Sequence, residues 1–210
     1  MPAIIPALEW RYATKRFDDS KTVSDADIET LKNAVNLTAT SFGLQPFRVA
    51  LISDQATKDK LQEAAYNQVQ VGTASHVFVF AAKTNVTPEY VDDFIRRLAA
   101  GRELGYEALS GYGDYIKGSL KGKDQEFLQA WNTRQAYIAL GTLMATAGEL
   151  KVDGCPMEGF DIEQFNDILG LKEQGLTAVV MCPVGYRSPE DASQHYAKVR
   201  LPLDELFIGK

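Results

Sequence analysis

The chain is short of the residues that most often announce chemistry. It has two histidines and two cysteines, and Cys155 and Cys182 lie far apart without C-x-x-C spacing. A metal centre, a dithiol redox motif and a disulfide framework are therefore not expected. Two free thiols suit a reducing compartment. Positive charge is not in excess either: 22 Lys and Arg stand against 28 Asp and Glu, a formal net charge of −6. That balance argues against a dedicated nucleic-acid or anionic-membrane surface, which needs clustered basic residues. The apolar opening "MPAIIPALEW" carries two prolines, an acid and no basic leader, and it is too short for a signal peptide or a membrane span. A cytoplasmic protein is expected, so the glycosylation sequons at Asn36 and Asn85 read as chance matches.

The nucleotide-binding glycine motifs are missing as well. "GDYIKGS" (113–119) has two glycines at P-loop spacing but a serine where the lysine must reach the phosphates, and "GSLKGKD" is one residue short. No G-x-G-x-x-G lies between a strand and a helix, so a doubly wound dinucleotide fold has no support. No Ser-His-Asp order or G-x-S-x-G elbow is present. His76, at the edge of an apolar run, reads as structural, and His195 as an exposed loop residue.

What is present is a single layered domain, residues 1–210, large enough to bury a core without staples. After a short N-terminal helix, Ser24 is an N-cap with Asp27 as an imperfect capping-box acid, and Ile28, Leu31 and Val35 recur at helical spacing. "SFGLQPF" is a loop and "FRVALIS" a strand; Ser53 or Asp54 opens a helix running through Ala65. "HVFVFAAKT" is apolar almost without alternation and predicts a strand buried on both faces. Thr87-Pro88 is a helix entry with proline at the first helical position. From there to about Leu120 five glycines break a mostly helical stretch. The segment 124–150 is apolar around most of its circumference from Tyr137 onward and predicts a central helix, with Ala139, Gly141 and Ala145 small enough for close approach. "LTAVVMCPVGY" is a third buried strand. Few strands among many helices give an α+β domain. The apolar tail residues Leu201, Leu203, Leu206, Phe207 and Ile208 need a cover, for which a second copy of the chain is the expected surface: a homodimer with the tail reaching across.

Two basic groups carry the chemistry. Arg11 and Lys15 lie four residues apart with Arg16 beside them, and Lys198 and Arg200 sit at i and i+2, on one side of the chain if it is extended. Taken alone, the first group reads most simply as a solvated basic face. Together, two pairs from opposite ends could close on one dianionic phosphate, which suits an Arg fork and a Lys point charge. A third feature is "GCPMEGFD" (154–161), a short connection between two helices that places Glu158 between Met157 and Gly159.

The order and spacing of "RYATKRFD", "LQPFRVALI", "NQVQ" before "ASHVFVFAAKT", "CPMEGFD", "GLKEQGLTAVVMCPVGYRSPED" and "KVRLP" resemble the nitroreductase family of FMN-dependent NAD(P)H oxidoreductases, in its oxygen-insensitive nitroreductase and dihydropteridine reductase branch. The resemblance spans nearly the whole chain. It implies a central mixed sheet flanked by helices in an intertwined homodimer, with FMN as cofactor and NAD(P)H as reductant. The implied cofactor contacts are Arg11, Tyr12, Ala13, Thr14 and Lys15 with Lys198, Val199 and Arg200 at the phosphate and ribityl chain, and Asn67 and Gln70 on the pyrimidine side. Thr40 and Ser41 would come from the partner subunit. Pro156, Met157, Glu158 and Gly159 would face the flavin through backbone N–H groups, with Glu158 as the backbone donor and no side chain assigned as catalytic. Phe42, Tyr112, Tyr115 and Ile116 are candidate substrate contacts. The implied activity is ping-pong hydride transfer to nitroaromatic, quinone or pterin-type acceptors. A carrier that stores or delivers FMN without turnover, or another flavin reaction on the same scaffold, stays open.

Overall fold

The structure, a computed structural model, describes residues 4–209; residues 1–3 of the predicted N-terminal helix and Lys210 lie outside them. Capping chemistry sets the helix starts. The Ser24 hydroxyl accepts from the Asp27 N–H and opens α2 (Asp25–Asn36). Asp54, rather than Ser53, caps α3 (Gln55–Ala64) by accepting from the Thr57 N–H. Thr87 does the same for α5 (Pro88–Gly101), whose first residue is the proline that lacks an N–H to satisfy. Asp124 caps α7 (Gln125–Glu149), and Asp161 caps α8 (Ile162–Leu169), which ends on Gly170 at a left-handed φ of 58°. The expected break in the glycine-rich stretch falls between α5 and α6 (Ser110–Leu120). Short helices α1 (Ile4–Trp10), α4 (Val69–Gly72) and α9 (Leu203–Leu206) complete the α-helical set among the described residues.

Four strands, β1 (Phe47–Ile52), β2 (His76–Lys83), β3 (Asp153–Gly154) and β4 (Leu176–Gly185), form one sheet in the order β1-β2-β4-β3. Each of its ladders is antiparallel. Among the described residues, parallel pairing is confined to the isolated bridge between Ala13 and Gly154, so the mixed character expected of the sheet reduces to that one contact. The two-residue period of β2 divides the core. Val77, Val79 and Ala81 face one way, packed with Leu61, Phe165 and Met181. Phe78 and Phe80 face the other way, with Leu31, Ala139, Leu140 and Leu143 from α2 and α7. Helices cover both faces, which is why the strand sequence lacks alternation. A register shift after Phe80 leaves Val179 as the unpaired residue of a bulge.

Close approach to α7 occurs at Gly148, where a Cβ would lie 2.9 Å from the Ala7 carbonyl oxygen of α1. Gly141, expected to serve that purpose, faces open space, and with half-exposed Ile138 it forms an uncovered stripe on the helix. The apolar tail is uncovered as well, Ile208 being 88% exposed. Among the described residues no helix is long and apolar enough to cross a membrane.

Candidate functional site

The chain ends meet. Residues 9–13, Lys15, Pro156, Ser193, Gln194 and residues 196–200 line a cleft of about 610 Å³, in the size range of small-molecule sites, roughly 300–1,000 Å³. Arg11, Lys15, Lys198 and Arg200 all line it. Among the described residues none of the four is in a salt bridge with a carboxylate. Residues 198–200 belong to no helix or strand. The two cations reach the cleft all the same. The Lys198 ammonium donates to the carbonyl oxygens of Leu8, Glu9 and Arg11 at the C-terminal end of α1, a placement that suits a cation at a helix C-terminus. Burial, and then the positive charges of Arg11 and Arg200, lower its pKa from the usual lysine value.

Asp191 builds the cleft from below, although nothing in its sequence context distinguishes it from the neighbouring loop acids. Its Oδ2 accepts from the Tyr12 hydroxyl at 2.9 Å and the Lys15 N–H at 2.7 Å, and its Oδ1 from the Ser193 N–H at 2.9 Å. Burial opposes its charge, yet these donors outweigh burial and hold the carboxyl below its ordinary range. Burial, and then the same carboxylate, push the Tyr12 phenol up, so it stays protonated and donating. Behind it, buried Asp153 accepts from Arg187 Nε at 2.9 Å. The Arg187 guanidinium lies 4.2 Å from the Trp10 ring centroid and 4.7 Å from that of Tyr12, a cation–π stack that sets both rings. Thr14 is wholly buried and presents no surface to the cleft, contrary to its expected cofactor contact. Cys155, 3.9 Å from Lys15 Nζ, is also buried; burial raises its pKa despite the nearby cations, and it remains a thiol.

Pro156 carries the cleft wall into the "PMEG" stretch. Met157 pairs with Met181 of β4, and the Tyr137 hydroxyl of α7 donates to Glu158 Oε1 at 2.7 Å. Gln68 Nε2, in the "NQVQ" segment, donates to the Gly159 carbonyl at 2.7 Å. A Cβ at residue 159 would lie 3.3 Å from that amide nitrogen and press the Gln68 side chain back by a few tenths of an ångström. Gln70 is buried and donates to Gln68 Oε1 at 3.2 Å, while Asn67 is exposed in a left-handed conformation at φ 57°. The N–H groups of Glu158 and Gly159 have no protein acceptor among the described residues.

Thr40, Ser41, Phe42, Tyr112 and Tyr115 form a second group that does not line the basic cleft of their own chain. The Ser41 N–H donates to Gln135 Oε1 at 2.8 Å, and Phe42, at φ 58°, meets Tyr115 edge-on with ring centroids 6.2 Å apart. Tyr112 and Tyr115 are exposed, but Ile116 is wholly buried in a cluster with Leu44, Val91 and Ile95, so it is a core residue and not a substrate contact.

The model of the Nitroreductase family matches residues 8–186. A Staphylococcus haemolyticus protein provisionally named an NAD(P)H nitroreductase is 34% identical over 97% of this chain and 95% of its own length. One from Staphylococcus aureus, named in the same way, is 37% identical over 89% and 87%. In fold, the chain superposes on a crystal structure from Staphylococcus epidermidis, provisionally named an NAD(P)H:FMN oxidoreductase, with TM-score 0.87, 21% identity and coverage of 100% and 97%. A provisionally named nitroreductase from Exiguobacterium sibiricum, solved in complex with FMN, gives 0.86, 19%, and 99% and 97%. The chain belongs to the nitroreductase family.

Proposed function

We propose that the chain is an FMN-dependent NAD(P)H oxidoreductase that reduces nitroaromatic, quinone or pterin-type acceptors as a homodimer in the cytoplasm. The observation that carries this reading is the cleft in which Arg11, Lys15, Lys198 and Arg200 converge from opposite chain ends without a carboxylate partner. The residues present fit FMN: four cations match a doubly charged phosphate, and the free N–H groups of Glu158 and Gly159 offer donors to a polar ring edge. Arg11, Lys15 and Arg200 would hold the phosphate. Lys198 would add its charge while its three N–H donors stay on the Leu8, Glu9 and Arg11 carbonyls. The backbone of residues 12–13 and Val199 would lie along the ribityl chain. Asn67 and Gln70 would offer amides to the pyrimidine side. When bound, FMN supplies two-electron transfer between NAD(P)H and the acceptor.

The chain's own contribution is to orient the ring, to aim N–H donors where negative charge gathers, and to leave one slot that reductant and acceptor occupy in turn, which gives ping-pong kinetics. Thr40, Ser41, Phe42, Tyr112 and Tyr115 would complete the slot from the partner subunit. Their absence from the lining of the basic cleft of their own chain, with the uncovered Ile138 stripe and apolar tail, supports that arrangement.

The test is an absorbance spectrum after incubation with excess FMN and dialysis, then after addition of NADH or NADPH. A retained flavin spectrum that bleaches with either nucleotide and returns with a quinone is the expected result. A colourless protein overturns the reading, and retained flavin that neither nucleotide bleaches favours a carrier.

A further inference from the structure

Three peptide carbonyls in the "PMEG" stretch are tied down one after another. The Met157 carbonyl accepts from the Met181 N–H at 3.0 Å, the Glu158 carbonyl from the Phe160 N–H at 3.0 Å, and the Gly159 carbonyl from Gln68 Nε2 at 2.7 Å. In a trans peptide the C=O and the following N–H point in opposite directions, and the described chain contains no cis bond. Holding the Met157 carbonyl on the sheet therefore turns the Glu158 N–H away from it. Holding the Glu158 carbonyl on Phe160 does the same for the Gly159 N–H. The Phe160 N–H that makes this last bond belongs to the peptide whose carbonyl Gln68 grips, so the Gln68 amide orients the Gly159 N–H through two linked peptides. On the other side Tyr137 grips the Glu158 carboxylate at 2.7 Å and stands 3.4 Å from the Val179 carbonyl, at the bulge of β4.

We infer that Gln68 and Tyr137 are positioning residues, a two-sided clamp that keeps the N–H groups of Glu158 and Gly159 aimed outward as a fixed pair of donors. The inference rests on the flavoprotein reading above, because it assigns those donors to the FMN ring. Two donors held in place before charge arrives need no reorganisation when it does, and they act most on the species with more negative charge. The clamp therefore bears on the difference in affinity between reduced and oxidised FMN. Binding of the oxidised form itself depends mainly on the basic cleft.

The experiment compares Gln68→Met and Tyr137→Phe, both close to isosteric, with wild type. Gln68→Met also removes the amide's bonds to the Ala65 carbonyl and to Gln70, so the clamp requires the same result from Tyr137→Phe, which leaves those bonds in place. Dissociation constants are measured for oxidised FMN in air and for dithionite-reduced FMN under anaerobic conditions. In each variant the preference for reduced FMN should fall by about 5–10-fold, equivalent to about 1–1.4 kcal/mol, while the oxidised constant moves by less than about threefold. Gln68→Asn, too short to reach the Gly159 carbonyl, reports in place of a variant that does not fold. A merely structural role would weaken both forms together, and an unchanged ratio in variants that still bind FMN overturns the clamp. A wild-type protein that binds neither form overturns the flavoprotein reading, and with it the clamp, before any variant is made.

Discussion

The Asp191 carboxylate and the Tyr12 hydroxyl meet at 2.9 Å across 179 residues of chain. Through that contact, and through the Lys15 N–H on the same oxygen, one buried acid joins the segment that carries the first basic pair to the loop that leads into the second.

Removing that acid has a defined cost. Asp191→Ala leaves the Lys15 and Ser193 N–H groups and the Tyr12 hydroxyl without their acceptor, and should cost about 1–3 kcal/mol in urea unfolding. The pH dependence has a sign. The folded pKa of Asp191 is depressed, so its ionic contribution is complete above the unfolded carboxylate value of about 3.9 and is lost as pH falls through the folded value. The stability gap between wild type and Asp191→Asn should therefore narrow below about pH 4. A gap independent of pH from 3 to 7 would count against this role.

The cations should rank by position. Arg11 and Arg200 line the cleft, whereas Arg16 is engaged with Glu190 at 3.2 Å on the surface. Replacing Arg11 or Arg200 by Ala should raise the Kd for FMN by roughly 10–150-fold, as for one lost charge-assisted bond of about 1.5–3 kcal/mol. Arg16→Ala should change it by less than about threefold. Flavin fluorescence titrations of the three variants decide the ranking, and equal losses would refute the phosphate assignment.

Lys198 should register binding as a proton. Burial and two neighbouring cations lower its pKa in the free protein, and a phosphate dianion placed beside it favours the ammonium again. FMN binding should therefore take up protons in the alkaline range below the ordinary lysine value, and affinity should fall as pH rises through it. Calorimetry in buffers of different ionisation enthalpy measures the uptake. Lys198→Met should abolish it.

Neighbours on α6 should separate stability from turnover. Ile116 is wholly buried, so Ile116→Ala should cost about 2–5 kcal/mol in unfolding. Tyr115 is 63% exposed, so Tyr115→Ala should leave stability within about 0.5 kcal/mol and change KM for the acceptor. Steady-state kinetics set beside denaturation curves for both variants test the division.

Much of this arrangement could be read from local signals. Ser24, Thr87, Asp124 and Asp161 mark helix starts because the side chain that caps a helix sits beside the N–H groups it satisfies. The runs that became β2 and β4 are apolar because both faces of the sheet are covered. β3 escaped notice because two residues are too few to show any period. The buried side of Ile116 is not legible locally because Gly111, Gly113 and Gly118 leave α6 without a clear apolar period.

The sequence by itself determined the layered α+β class, the helix starts, the family, and the presence of a basic pair near each end, since each of these lies in residue type and short-range spacing. Only the tertiary structure decided that the two pairs share a cleft, that Asp191 and Arg187 bond to or stack on its walls, and that Gln68 bonds to the Gly159 carbonyl in the adjoining stretch. Their partners Tyr12, Asp153 and Gly159 lie 179, 34 and 91 residues away. A polar side chain in a loop has no periodic signature, and what it does depends on the group that folding brings within 3 Å.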